Sequence, residues 1–222
     1  MVFAMAALVL ASCSSDLESE GKSRITTYAV LEMNGDDFIK LNVGDTFNDP
    51  GCVAMMGTED VSSLIQVFSD VDTSKPGYYT VKYIVYNPDG FPASASRDVM
   101  VVDLHNFAST YFGESQYGSR HYFDAPITIT KRGDGTYLIN DILGGFYSYG
   151  RYPGYDAYGY DFFCEALLTL NEDNTISLVA TGSWYFDKYP VTITSGTFDP
   201  ESGDVVLNLD FDGDPFYVKL TK

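Results

Sequence analysis

The chain contains two histidines, His105 and His121, and neither falls in an HxH or HxxxH spacing. A histidine-built zinc site or a serine triad is therefore thinly supplied. Acids are abundant, with 31 Asp and Glu, so a carboxylate pair for glycoside hydrolysis can be drawn almost anywhere and says little. Asp210-Phe211-Asp212-Gly213-Asp214 opens like a calcium loop, but Phe216, Tyr217 and Val218 follow it where further oxygen ligands belong. A tight Asp-Gly hairpin turn accounts for it better. Arg132-Gly133-Asp134 spells an integrin-binding tripeptide inside a stretch that needs glycine for its own turn. Cys52 and Cys164 fall in different predicted domains and are expected as two small buried thiols, not as a disulfide. No catalytic residue, metal ligand or cofactor is expected, and the chain is not read as an enzyme.

The chemistry that remains is aromatic. Between Gly144 and Phe162 stand Tyr147, Tyr149, Tyr152, Tyr155, Tyr158 and Tyr160, with Arg151, Asp156 and Asp161 among them. Sugar rings present apolar C–H faces that stack on flat side chains, while carboxylates and guanidinium groups bind the hydroxyls. Both kinds of group occur here, and Trp184-Tyr185 is expected to join them across a sheet. Gly144 to Tyr149 continues the alternation of the preceding strand, so Phe146 or a neighbour should enter the core, with Tyr147 and Tyr149 sharing the opposite face. For those two rings, end-plugging of a β-structure and ligand binding are equally good readings. Tyr152 to Tyr160 is broken by Pro153, Gly154 and Gly159 and reads as a loop. Tyrosines clustered in loops give contact area at low entropic cost. The candidate ligand residues are Tyr147, Tyr149, Arg151, Tyr152, Tyr155, Asp156, Tyr158, Tyr160 and Trp184; the same loop could instead meet the first domain or a partner protein.

These residues need a scaffold, and the composition specifies its class. A chain of 222 residues that is 45% hydrophobic and 15% aromatic is globular. A net charge of −18 repels polyanions, so nucleic acid is a poor candidate partner and none is expected. In residues 24–103 the runs TYAVLEM, FIKLNV, CVAMM, LIQVF, YYTVKYIVY and ASRDVMVVD alternate at period two. Turn chemistry separates them, in NGDD, VGDTFNDPG, DTSKPG and NPDG. This predicts a β-sandwich. Residues 104–119 read as a linker or hinge. In 120–222, hairpins are expected around Gly133-Asp134-Gly135, Asn171 to Asn174 and Pro200 to Gly203. Such an antiparallel meander closes into a small lipocalin-like barrel or folds as a second sandwich. The fold class is all-β.

Residues 1–12, an apolar run too short to span a bilayer, match the core of an export signal, although no Lys or Arg precedes the run. Leu10-Ala11-Ser12-Cys13 resembles the lipobox of bacterial lipoproteins, which implies lipidation at Cys13. The polar residues 13–23 read as a tether. Asp16, Glu18 and Glu20 resemble the export tag of Bacteroidetes-type surface lipoproteins, implying a lipid anchor in the outer membrane and an outward face.

The order VGDTFNDPGCVA followed by DVDTSKPGYYTVKYIVYNPDGFPASASRDVMVVD resembles the bacterial Ig-like module. Gly44, Asp49, Pro50, Gly51, Gly77, Tyr78, Tyr83, Gly90 and Arg97 stand at its matching places. The resemblance implies an architectural role for them, with Tyr83 inside, in a unit that spaces or presents another. The blocks ITITKRGDGTYLINDILGGFYSYG and SGTFDPESGDVVL are similar to the C-terminal domain that follows such modules in Bacteroidetes-type surface lipoproteins of uncharacterised function. Related lipoproteins are often encoded beside glycan-import systems. The expectation is a surface lipoprotein whose second domain binds a polysaccharide or oligosaccharide beside outer-membrane glycan-import proteins, touching the membrane through its lipid alone. The alternative is a structural or adhesion lipoprotein without a carbohydrate ligand.

Overall fold

The computed structural model describes residues 25–222. The signal segment, Cys13 and the tether lie outside the described residues. The chain begins with β1 (Ala29–Met33), β2 (Phe38–Asn42), β3 (Cys52–Met56), β4 (Glu59–Asp60), β5 (Gln66–Ser69), β6 (Gly77–Tyr86) and β7 (Pro92–Val102). They form two sheets, β1-β3-β4 and β2-β7-β6-β5, with β2 parallel to β7 and the other pairs antiparallel. Alternation decides what each strand buries: Val81, Tyr83 and Val85 of β6 and Val99 and Val101 of β7 face the core. This is the expected Ig-like sandwich.

One polar knot fixes its interior. The guanidinium of Arg97, on β7, is fully buried. It donates to the Asp49 carboxylate at 2.9 Å and to the carbonyl oxygens of Asp36 and Asn34 at 2.9 and 2.6 Å. The Tyr83 hydroxyl donates to the same Asp49 oxygen at 2.5 Å. A buried guanidinium is tolerated when it is paired and its donors are used, and Arg97, Asp49 and Tyr83, three of the places at which the sequence resembles the Ig-like module, supply that pairing.

The second domain comprises β8 (Thr110–Tyr117), β9 (Arg120–Lys131), β10 (Tyr137–Ile139), β11 (Ala166–Leu170), β12 (Ile176–Thr181), β13 (Val191–Phe198), β14 (Val205–Phe211) and β15 (Asp214–Thr221). Residues 104–119 are thus not a linker throughout, because β8 pairs with both β9 and β15 inside the sheet. Its inward positions include Gly113 and Ser115, which break the hydrophobic alternation that would have marked it as a strand. The eight-stranded order is β12-β11-β10-β9-β8-β15-β14-β13. The outer strands nearly meet through a Thr175–Thr197 bridge and the Phe198 N–H to Asn174 carbonyl bond of 2.9 Å. A side chain on Gly196 would lie 3.0 Å from Ile176 Cβ, so a glycine is what lets the seam close. The meander is therefore an almost closed barrel.

The three expected hairpins join β9 to β10, β11 to β12 and β13 to β14. Asp212 and Gly213, with φ of 54° and 92°, make the two-residue turn between β14 and β15. There the Asp210 carboxylate accepts the Gly213 N–H at 2.9 Å.

The two domains are docked. Met100 and Val102 point away from the face that carries Val99 and Val101, yet both are fully buried. The Tyr78 hydroxyl donates to the Tyr111 carbonyl at 2.6 Å, and the rings of Phe38 and Phe112 lie 5.7 Å apart. Burial raises the Tyr78 pKa. The Thr110 hydroxyl donates to the Val101 carbonyl, and the Asp103 N–H donates to Ser109 Oγ at 2.9 Å.

Candidate functional site

The connection from β10 to β11, residues 140–165, lies across one end of the barrel. Asp141, fully buried, ties its two ends together: the carboxylate accepts the N–H groups of Leu143 at 3.0 Å, Gly145 at 3.1 Å and Cys164 at 3.4 Å. Burial pushes its pKa up to about 7, against the pull of those donors. Burial, with the Asp141 charge beside it, pushes the Cys164 thiol up to about 12. Cys164 is free and buried, and Cys52 is free and half-buried.

Gly144 and Gly145, with φ of 61° and 79°, then reverse the chain. A side chain on Gly145 would sit 2.2 Å from Ala125 Cβ, and one on Gly113 would sit 2.8 Å from the Gly144 carbonyl. The cap is pressed directly onto β8 and β9. This overturns the strand expected from Gly144 to Tyr149: Phe146–Arg151 is a π-helical turn, closed by Gly150 N–H to Gly145 carbonyl and Tyr152 N–H to Tyr147 carbonyl bonds of 3.1 and 2.8 Å. Phe146 does enter the core, against Tyr117, Tyr122 and Phe216.

Nor do Tyr147 and Tyr149 share a face. Tyr147 is half-buried against Phe186, Trp184 and Phe211, with ring centroids 5.0, 5.8 and 6.1 Å away, and burial pushes its pKa up to about 12. Tyr149 turns outward onto Phe163. Trp184 is only 7% exposed and belongs to the barrel core, so it is no surface platform. Its neighbour Tyr185 is the exposed ring, packed edge-on to Phe162 at 4.9 Å and to Tyr160 at 5.7 Å.

Past the turn, Tyr152 is half-buried and stacks between Tyr147 and Phe162. Arg151 lies over the Tyr152 ring at 5.5 Å. Tyr155 to Tyr158 form a 3-10 turn flanked by Gly154 and Gly159. Exposures of 45% for Tyr155, 79% for Tyr158, 44% for Tyr160 and 54% for Tyr185 make these four outward rings, with Tyr149 at 41% beside them. They are not coplanar: Tyr155 is tilted 68° from Tyr158 and 52° from Tyr160, and Tyr160 is 72° from Tyr185. The carboxylate of Asp156 is exposed, while Asp161 is spent on the Phe163 N–H at 2.9 Å.

Phe162 is the hub. It is buried and touches Tyr152, Tyr155, Tyr160, Tyr185 and Phe186. Sequence reasoning passed over Phe162 and Phe186. The signal available was topological, since in a meander the β10–β11 and β12–β13 connections emerge at the same end. A cleft of about 110 Å³ lies among Tyr149, Tyr152, Tyr160, Phe162 and Phe163. Enclosed ligand pockets usually run to about 300 Å³ or more, so a ligand of any size would lie across this surface.

A family model for a C-terminal domain matches residues 102–222, more than half of the chain, and the model for the bacterial surface protein Ig-like domain matches residues 31–101. The crystal structure of the lipoprotein BT2262 from Bacteroides thetaiotaomicron is similar over 88% of this chain and 100% of that one, with 27% sequence identity and a TM-score of 0.59. The chain belongs to this BT2262-like family. A Bacteroides ovatus structure of unknown function covers 87% of this chain and 92% of its own, at 11% identity and a TM-score of 0.30. CBM51-2, in complex with GlcNAc, and INT domains of Clostridium perfringens ZmpB cover 82% of this chain and 29% of their own, at 16% identity and a TM-score of 0.28. No curated protein matches.

Within the BT2262-like chain, the other chemistry-bearing residues are placed as follows. His121 pairs with Glu114 at 2.7 Å beside the Phe123 ring on the outer barrel wall. Arg132-Gly133-Asp134 lies in the β9–β10 turn, where the Asp134 carboxylate accepts the Thr136 N–H at 3.0 Å.

Proposed function

We propose that this member of the BT2262-like family is a lipid-anchored protein of the outer membrane, facing the exterior, that holds a polysaccharide or oligosaccharide on its barrel cap for neighbouring glycan-import proteins. One observation carries the reading: Tyr155, Tyr160 and Tyr185 are exposed while resting on the Phe162 hub, which is buried in the barrel end, and the exposed Tyr158 packs on Tyr155. Rings held from below lose little conformational freedom on binding. Arg151 and Asp156 supply donors and acceptors beside them. The mutual tilts of the rings suit a soluble chain that turns between successive sugars better than a flat crystalline surface. Each stacked sugar draws on the ring faces, and hydroxyls bridge through water or the two charged groups.

Affinity electrophoresis against host and dietary glycans tests the reading. Wild type should be retarded by at least one polysaccharide, and the Tyr155→Ala, Tyr158→Ala, Tyr160→Ala triple variant should migrate freely through the same gel. Equal retardation of both proteins, or none with any glycan, would turn the assignment toward an adhesion or structural role.

A further inference from the structure

A second concave site lies away from the cap, where the domains meet. Beside the Phe38–Phe112 contact opens a cleft of about 430 Å³ lined by Phe38, Tyr78, Phe112, Pro126, Asp98 and Asp124, among others. That volume is within the range of small-molecule sites, which favour domain boundaries. Asp98 comes from β7. Asp124 comes from a bulge in β9, where Gly113 pairs with Ala125 and Ser115 with Tyr122. Its φ of 60° is a backbone conformation that a non-glycine residue seldom adopts. Bulges of this kind re-aim side chains.

The polar chemistry of the cleft is one-sided. Asp98 accepts the Thr80 hydroxyl at 3.2 Å, and neither Asp98 nor Asp124 is in an ion pair among the described residues. The Tyr78 hydroxyl already donates to the Tyr111 carbonyl. No Lys, Arg, Asn or Gln lines the walls. A sugar hydroxyl both donates and accepts, so a neutral sugar would find few donors here. A cation only donates, and aromatic faces attract it. The net charge of −18 adds a long-range field of the right sign.

We propose that this cleft binds a small organic cation, an alkylammonium or guanidinium compound. The charged head sits between Asp98 and Asp124, and the carbon chain lies on Phe38 and Phe112. The assignment is independent of glycan binding at the cap.

Isothermal titration calorimetry of the full chain at about 0.15 M salt, where long-range attraction is screened, tests it with butylguanidinium, butylammonium and the uncharged isostere butylurea. Saturable binding of a cation at one site is expected, weakened about tenfold or more in Asp98→Asn/Asp124→Asn by loss of charge-assisted hydrogen bonds. Glu172→Gln/Glu201→Gln removes the same charge from exposed turns and should leave binding unchanged. Asp124→Gly suits the local backbone and guards against a folding artefact; it too should weaken binding. No saturable heat with either cation, equal weakening in both double variants, or butylurea binding as tightly as butylguanidinium would overturn the proposal.

Discussion

A carboxylate with no exposed surface that accepts three backbone N–H groups is pulled two ways. For Asp141 burial prevails, and its pKa rises to about 7, from about 3.9 in an unfolded chain. A carboxylate whose pKa is raised by folding adds stability that is fully present below pH ~4 and is lost as the pH climbs through ~7. Asp141→Asn cannot ionise. In urea unfolding the stability gap between wild type and Asp141→Asn should therefore narrow from about pH 4 to about pH 8; a gap that widens would mean that the N–H donors outweigh burial. At this scale the sequence was only partly legible. Gly144-Gly145 after a short strand is a breaker signal, but ring spacing alone could not tell the core residue Trp184 from the exposed Tyr185 beside it, because each environment accepts an aromatic side chain.

Among elements, the first domain was readable almost strand by strand. Its turns demand particular residues, and β7 carries Arg97, one of the places at which the sequence resembles the Ig-like module. Removing one partner of a buried, bonded ion pair strands the other, so Arg97→Ala is expected to cost about 3–5 kcal/mol. Tyr83→Phe removes one hydrogen bond to Asp49 and should cost about 1–2 kcal/mol. Denaturant unfolding of both variants provides the check, and similar losses in the two would refute this ranking. Strand β8 was illegible for a physical reason. Its inward positions at Gly113 and Ser115 are small because the cap rests on them, with Gly144 so close that a side chain at 113 has no room. The cap itself hid the strand that supports it.

At the scale of the molecule, the buried face of β7 at Met100 and Val102 joins two domains that the sequence suggested were separated by a hinge. Met100→Glu places a charge in that junction while leaving Val99 and Val101 in the sandwich core. Calorimetric unfolding should change from one coupled transition to two resolved ones, and a single transition displaced as a whole would argue that the domains melt together for another reason. Docking also fixes the bearing of the cap relative to the junction cleft, since the Tyr78–Tyr111 bond and the Phe38–Phe112 contact span the boundary.

The position of β15 carries a consequence for timing. It follows every other strand of its domain in chain order, yet it sits inside the sheet between β14 and β8, the first strand of that domain. Thr221 pairs with Phe112, and Phe216 pairs with Tyr117. A chain emerging from its N-terminus therefore leaves one side of β8 unpaired until nearly the whole domain has been released. Such long-range closure is intrinsically slow. The first domain, whose strands are complete by Val102, can form early, and so can the local hairpins of the second; the β8–β15 pairing that closes the barrel sheet comes last.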